Sequence, residues 1–124
     1  MARILVVDDE PPIRHLIARV LTGAGHEISE AADGAEAASK LKAEPFDLVI
    51  TDIVMPNLDG LETLMNLARD GEKVPVIAIS GIYPDSSLYL KAAKSLGARL
   101  TLSKPFRESE LVAAVNDVLG HHKQ

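Results

Sequence analysis

The stretch Ile4-Leu5-Val6-Val7-Asp8-Asp9-Glu10 decides the fold: an unbroken aliphatic run stops abruptly at a pair of acids. A run this short and this apolar suits a strand buried on both faces of a parallel sheet. Working outward, Leu48-Val49-Ile50-Thr51 stops at Asp52, with Met55-Pro56 just beyond it. Val76-Ile77-Ala78-Ile79 stops at Ser80, and Leu100-Thr101-Leu102-Ser103 stops at Lys104-Pro105. If these runs are neighbouring parallel strands, their polar ends converge on one edge of one sheet. Open α/β sheets bind their ligands at that carboxyl edge.

Longer amphipathic segments alternate with the runs, the βα rhythm of a parallel sheet covered on both faces. Strands are expected over 3–8, 27–31, 47–51, 76–80 and 100–103. The second, Glu27-Ile28-Ser29-Glu30-Ala31, alternates and is polar, which places it at a sheet edge. Helices are expected over 11–24, 35–43, 61–70, 86–96 and 107–119. The first carries Ile13, Leu16, Ile17, Val20 and Leu21 at helical spacing, with prolines in its first turn and Gly23 and Gly25 near its end. The second is rich in alanine and so packs closely. Gly97 and Gly120 read as stops for the last two.

The chain has 124 residues, the size of one domain. It has no cysteine, which excludes disulfides, thiolate metal sites and Cys nucleophiles. Lys and Arg total 13 against 18 Asp and Glu, a net charge of −5 that disfavours nucleic acid. No apolar stretch approaches the ~20 residues that span a bilayer, and no signal peptide precedes the first strand. The composition is that of a cytoplasmic protein with no membrane partner.

Asp8, Asp9 and Asp52, brought together, would repel: two unit charges 4 Å apart cost ~4 kcal/mol at an effective dielectric near 20. A hard divalent cation removes that cost, and Mg²⁺ typically takes one or two carboxylates plus a phosphate. Asp9 and Asp52 are the candidate direct ligands, with Asp8 acting through water and a backbone carbonyl near Val54 completing the set. The competing reading of Asp8-Asp9 is capping of the helix that begins at Pro11. Asp52 is also the candidate nucleophile, because a carboxylate can accept a phosphoryl group as an aspartyl-phosphate. Transfer spreads charge over the phosphoryl oxygens and calls for cations and donors around them. Lys104 and Ser80 are of the right types. Taken singly, each also reads as an ordinary strand-end residue.

Val-Val-Asp8-Asp9-Glu10, Asp52-Ile-Val-Met-Pro56-Asn-Leu-Asp-Gly60, Ser80-Gly81, Leu96-Gly97-Ala98 and Lys104-Pro105-Phe106 resemble the receiver domain of two-component response regulators. The likeness runs across essentially the whole chain, so residues 1–124 read as one receiver domain with no output domain. It implies a flavodoxin-like (βα)5 fold: a doubly wound parallel sheet in the order 2-1-3-4-5 with helices on both faces. It also implies phosphoryl transfer to Asp52 from a histidine kinase or phosphotransfer protein. Mg²⁺ would be held by Asp9, Asp52 and the Val54 carbonyl, with Asp8 assisting. Ser80 and Lys104 would hold the phosphoryl oxygens, and the Lys104–Pro105 bond would be cis. Phosphorylation would then alter partner binding through the face of the fourth helix, fifth strand and fifth helix, including Tyr89, Lys91, Thr101 and Arg107. The downstream partner is unnamed, and the chain is a monomer or weak homodimer.

Departures from the family pattern are equally specific. Thr101 stands where the family usually has an aromatic switch. Val54 and Ile82, which would flank the path of hydrolytic water, are both apolar, which implies a long-lived phosphoryl state. Such a protein is no enzyme beyond its own phosphorylation and dephosphorylation. Two alternatives remain: a receiver-like scaffold acting without phosphorylation, and a Mg²⁺-dependent phosphohydrolase. The hydrolase would need a second acid at Val54 and a substrate cleft. His15, His26, His121 and His122 are scattered and form no metal motif.

Overall fold

The computed structural model describes residues 2–52, 74–80, 98–104 and 106–122, with the side chains of Ser80, His121 and His122 left out. The expected helices at 61–70 and 86–96, together with Val54, Gly81, Ile82, Tyr89, Lys91, Gly97 and Pro105, lie outside the described residues. The strands are β1 (Arg3–Val7), β2 (Glu27–Ala31), β3 (Leu48–Asp52), β4 (Val76–Ser80) and β5 (Leu100–Ser103). The described helices are α1 (Pro11–Gly23), α2 (Gly34–Ala43) and α3 (Glu108–His122). All strand pairs are parallel. The sheet order is β2-β1-β3-β4-β5, the flavodoxin-like order, with polar β2 at the edge.

Side chains alternate across a strand, and the two resulting faces carry separate cores. On one face Ile4, Val6, Leu48, Ile50, Ile77 and Ile79 meet Ile17 and Leu21 of α1 and Leu111, Val115 and Val118 of α3. On the other, Leu5, Val7, Val49, Val76 and Ala78 meet Ala37 of α2, with Phe46 and Ala98. Each fully buried aliphatic side chain contributes roughly 1.5–3 kcal/mol from the area it removes from water. Ala37 is entirely buried, which lets α2 lie close to the sheet, as its alanine content implied.

Most element ends fall within one residue of expectation, β1 stopping at Val7 rather than at Asp8, and three further differences have a physical reading. Leu16 is 39% exposed, whereas Ala18 turns inward beside Ile17 and Leu21. The face of α1 that meets the sheet is therefore rotated towards Ala18, which permits close approach. β3 ends one residue later than expected, so that Asp52 is its last residue. Gly120 does not stop the last helix, which continues to His122.

The turn that returns the chain to β2 is built on Gly25, at φ +98°. Gly25 N–H donates to the Thr22 carbonyl at 3.0 Å and His26 N–H to the Leu21 carbonyl at 3.1 Å. That pair of bonds closes the helix with a left-handed residue, the conformation glycine adopts without Cβ strain. At the amino end of the sheet Arg3 lies over the Phe46 ring, 5.7 Å from its centroid. It pairs there with Glu27 at 3.4 Å and Glu44 at 3.1 Å.

Candidate functional site

Strand register brings the acids and the lysine together. Val7 is opposite Thr51, so Asp8 follows β1 at the level where Asp52 ends β3. Ser80 is opposite Ser103, so Lys104 follows β5 just beyond. Asp8 continues the alternation of Ile4 and Val6, Asp52 that of Leu48 and Ile50, and Lys104 that of Leu100 and Leu102. All three therefore belong to the face covered by α1 and α3, on top of an apolar core.

Lys104 Nζ stands 2.8 Å from Asp52 Oδ2 and 3.3 Å from Asp8 Oδ2. Asp8 is 1% exposed and Asp52 3%. Buried charges are stable only with partners, and one ammonium serves two carboxylates here. Burial pushes the Asp8 carboxyl up from 3.8 to about 6, and the Asp52 charge acts the same way. The Glu10 amide and Lys104 oppose that rise without cancelling it. For Lys104, burial alone would lower the pKa. Its hydrogen bond to Asp52 and the charges of Asp52 and Asp8 outweigh burial and hold it above the ordinary lysine value.

The loop from Asp8 to Glu10 is held at several points. Asp8 N–H donates to the Ala31 carbonyl at 3.1 Å, and Glu10 N–H donates to Asp8 Oδ1 at 2.8 Å. Arg14 Nη1 donates to the Asp8 carbonyl at 2.8 Å. Neither Asp8 nor Asp9 is the N-cap of α1: that position is Glu10, which makes no side-chain cap bond, and Pro11 and Pro12 have no N–H to donate to a capping oxygen.

Asp8, Asp9, Glu10 and Asp52 each bring a carboxylate oxygen within 4.8 Å of the others. Hard oxygen donors, two of them buried beside the Lys104 ammonium, fit a small divalent cation such as Mg²⁺. Glu10 was not anticipated as a member of this cluster. Neither was Arg14, although it lies three, four and seven residues before the buried Ile17, Ala18 and Leu21. A charge aligned with a buried stripe calls for a partner, and that signal was legible. Thr101 is half-buried in β5, opposite Ala78. Of Ser80, only the backbone position at the end of β4 is described. His15 Nε2 pairs with Glu30 at 3.3 Å, and His26 Nδ1 accepts from Ala2 N–H at 3.1 Å.

The family model of the response regulator receiver domain matches residues 4–116. The chain is 36% identical over 122 residues to Protein PilH of Pseudomonas aeruginosa, covering 97% of this chain and 99% of PilH. It is 35% identical to Response regulator MprA of Mycobacterium avium, covering 98% of this chain but only 52% of MprA. Among solved structures, the Francisella response regulator 1452 receiver domain superposes with a TM-score of 0.89 at 30% identity. That match covers 98% of this chain and 99% of the other. No helix among the described residues is long and apolar enough to cross a membrane.

Proposed function

Since the chain belongs to the family of response regulator receiver domains, we propose that it is a phosphorylation-controlled signalling module with Asp52 as phosphoacceptor. Phosphorylation signalling is general to that family; the residue roles below are this chain's proposed version of it. The observation that carries the reading is Lys104 Nζ placed between Asp52 and Asp8, at 2.8 and 3.3 Å.

The donor is a phosphohistidine of a sensor kinase or phosphotransfer protein. An Asp52 oxygen forms the new P–O bond as the P–N bond breaks, and the imidazole leaves with the bonding pair and takes up a proton. Bound Mg²⁺ supplies Lewis-acid neutralisation of the phosphoryl oxygens. Asp9 and Asp52 would hold the ion directly and Asp8 through water, with the Val54 carbonyl adding one more oxygen. Lys104 exchanges a carboxylate partner for a phosphoryl oxygen, and Ser80 donates its hydroxyl to another. The chain thus acts only on itself, in the cytoplasm, as a monomer or weak homodimer. The charge gained biases the face of the fourth helix, β5 and α3, with Thr101 and Pro105 as its switch and turn positions, towards a downstream protein.

Incubation with acetyl phosphate and Mg²⁺ tests this. One added phosphoryl mass is expected on the wild-type chain and none on Asp52→Ala. An unmodified wild-type chain would favour the scaffold reading, which the threonine at position 101 keeps in view.

A further inference from the structure

Asp9 lies between two residues whose backbone is tied down, and the tie on one side comes from Arg14. The Arg14 side chain is 14% exposed, and its guanidinium makes two directional contacts. Nη1 donates to the Asp8 carbonyl at 2.8 Å and Nε to Glu30 Oε1 at 3.0 Å. Glu30 belongs to edge strand β2, whose end is joined to β1 by Asp8 N–H and the Ala31 carbonyl. The backbone carbonyl of Glu30 also accepts from Lys40 of α2.

The carbonyl oxygen that Arg14 holds belongs to the peptide joining Asp8 to Asp9. A peptide unit is planar, so fixing its oxygen orients the plane that ends at the Cα of Asp9. That plane sets the direction in which Asp9 leaves the strand. The next residue is fixed as well, since Glu10 N–H is bonded to Asp8 Oδ1. Pro11 and Pro12 then hold φ for the two residues after it. The guanidinium also places a positive charge beside a loop that crowds carboxylates. A lysine could donate to the carbonyl, but could not reproduce the planar fork that reaches Glu30 at the same time.

We infer that Arg14, anchored by Glu30, is a positioning residue that orients the Asp8–Asp9 peptide so that both carboxylates face the cation site. This rests on the function proposed above and adds two residues to it.

The test is calorimetric titration of Mg²⁺ into the full chain near neutral pH, with a thermal melt alongside. Arg14→Ala should raise the Mg²⁺ Kd about tenfold, the usual scale for loss of a partner that orients a metal ligand. Glu30→Ala should shift it in the same direction by less, and Arg14→Lys should recover part of the loss. With acetyl phosphate as donor, half-saturating Mg²⁺ should rise while labelling at saturating Mg²⁺ stays near wild type. Arg3→Ala, at the opposite end of the sheet, controls for stability alone: its melt should fall with the Kd unchanged. An Arg14→Ala chain that melts lower but binds Mg²⁺ as wild type does would overturn the inference. Should Arg14→Ala fail to fold, Glu30→Ala decides in the same terms. If wild type binds Mg²⁺ and both variants match it, the inference alone falls. If wild type gives no heat, the proposed function falls and takes the inference with it.

Discussion

Lys104 Nζ is 2.8 Å from Asp52 Oδ2, across a sheet that separates the two residues by a full strand, β4. Replacing Lys104 with Ala leaves two buried carboxylates without their shared cation. Breaking a buried pair from one side typically costs about 3–5 kcal/mol. The low end is expected near neutral pH, because Asp8 can take up a proton instead. Urea unfolding measures the loss, and added Mg²⁺ should recover much of it.

Protonation of Asp8 gives the ion-free chain a characteristic pH profile. Its carboxyl titrates near 3.8 when unfolded and at about 6 in the folded chain, so the folded state holds the proton more tightly. The stability this contributes is fully present below the unfolded value and is lost as pH rises through about 6. Asp8→Asn should lack that component. Parallel urea midpoints for the two chains across this range would contradict the assignment.

Mg²⁺ must compete with the same proton. Affinity should fall as pH drops below about 6, and binding near that pH should release protons. Calorimetry in buffers of different ionisation enthalpy reads the release directly. Equal apparent heats in all buffers would show that Asp8 does not titrate on binding.

Gly25 tests the turn. No atom lies within 4 Å of a Cβ built there, so Gly25→Ala meets no clash and carries only the strain of φ +98°. That strain is roughly 1–2 kcal/mol. The melting point should fall accordingly, with Mg²⁺ affinity unchanged.

The long phosphoryl lifetime implied by the family likeness is tested at the apolar pair Val54 and Ile82. Val54→Asn, which supplies a side chain able to orient water, should speed spontaneous dephosphorylation several-fold. An unchanged rate would mean that another feature sets the lifetime.

Strand identity was legible because burial on both faces demands continuous aliphatic runs, as in Ile4–Val7 and Val76–Ile79, and sheet order came with the family likeness. The convergence of Asp8, Asp52 and Lys104 was legible for the same reason: each marks the point where such a run stops. Leu16 was misplaced because aliphatic spacing alone does not say which edge of the stripe a small residue such as Ala18 will win. Gly120 was misread because a glycine within a helix costs only about 1 kcal/mol, which tertiary packing of Leu119 and Val118 overrides. Arg14 could have been picked out by its alignment with the buried stripe of α1, but its two partners could not: the Asp8 carbonyl carries no sequence signature, and Glu30 meets it only through the fold.

The ion triad draws on β1, β3 and β5, and Lys104 and Asp8 are 96 positions apart. During synthesis, both acids emerge from the ribosome long before their counter-charge does. A nascent chain reaching only β4 would hold mutually repelling anions above a half-built core. Closure of the last strand is therefore the event that brings the two acids their shared ammonium, so the pocket is assembled only as folding is completed.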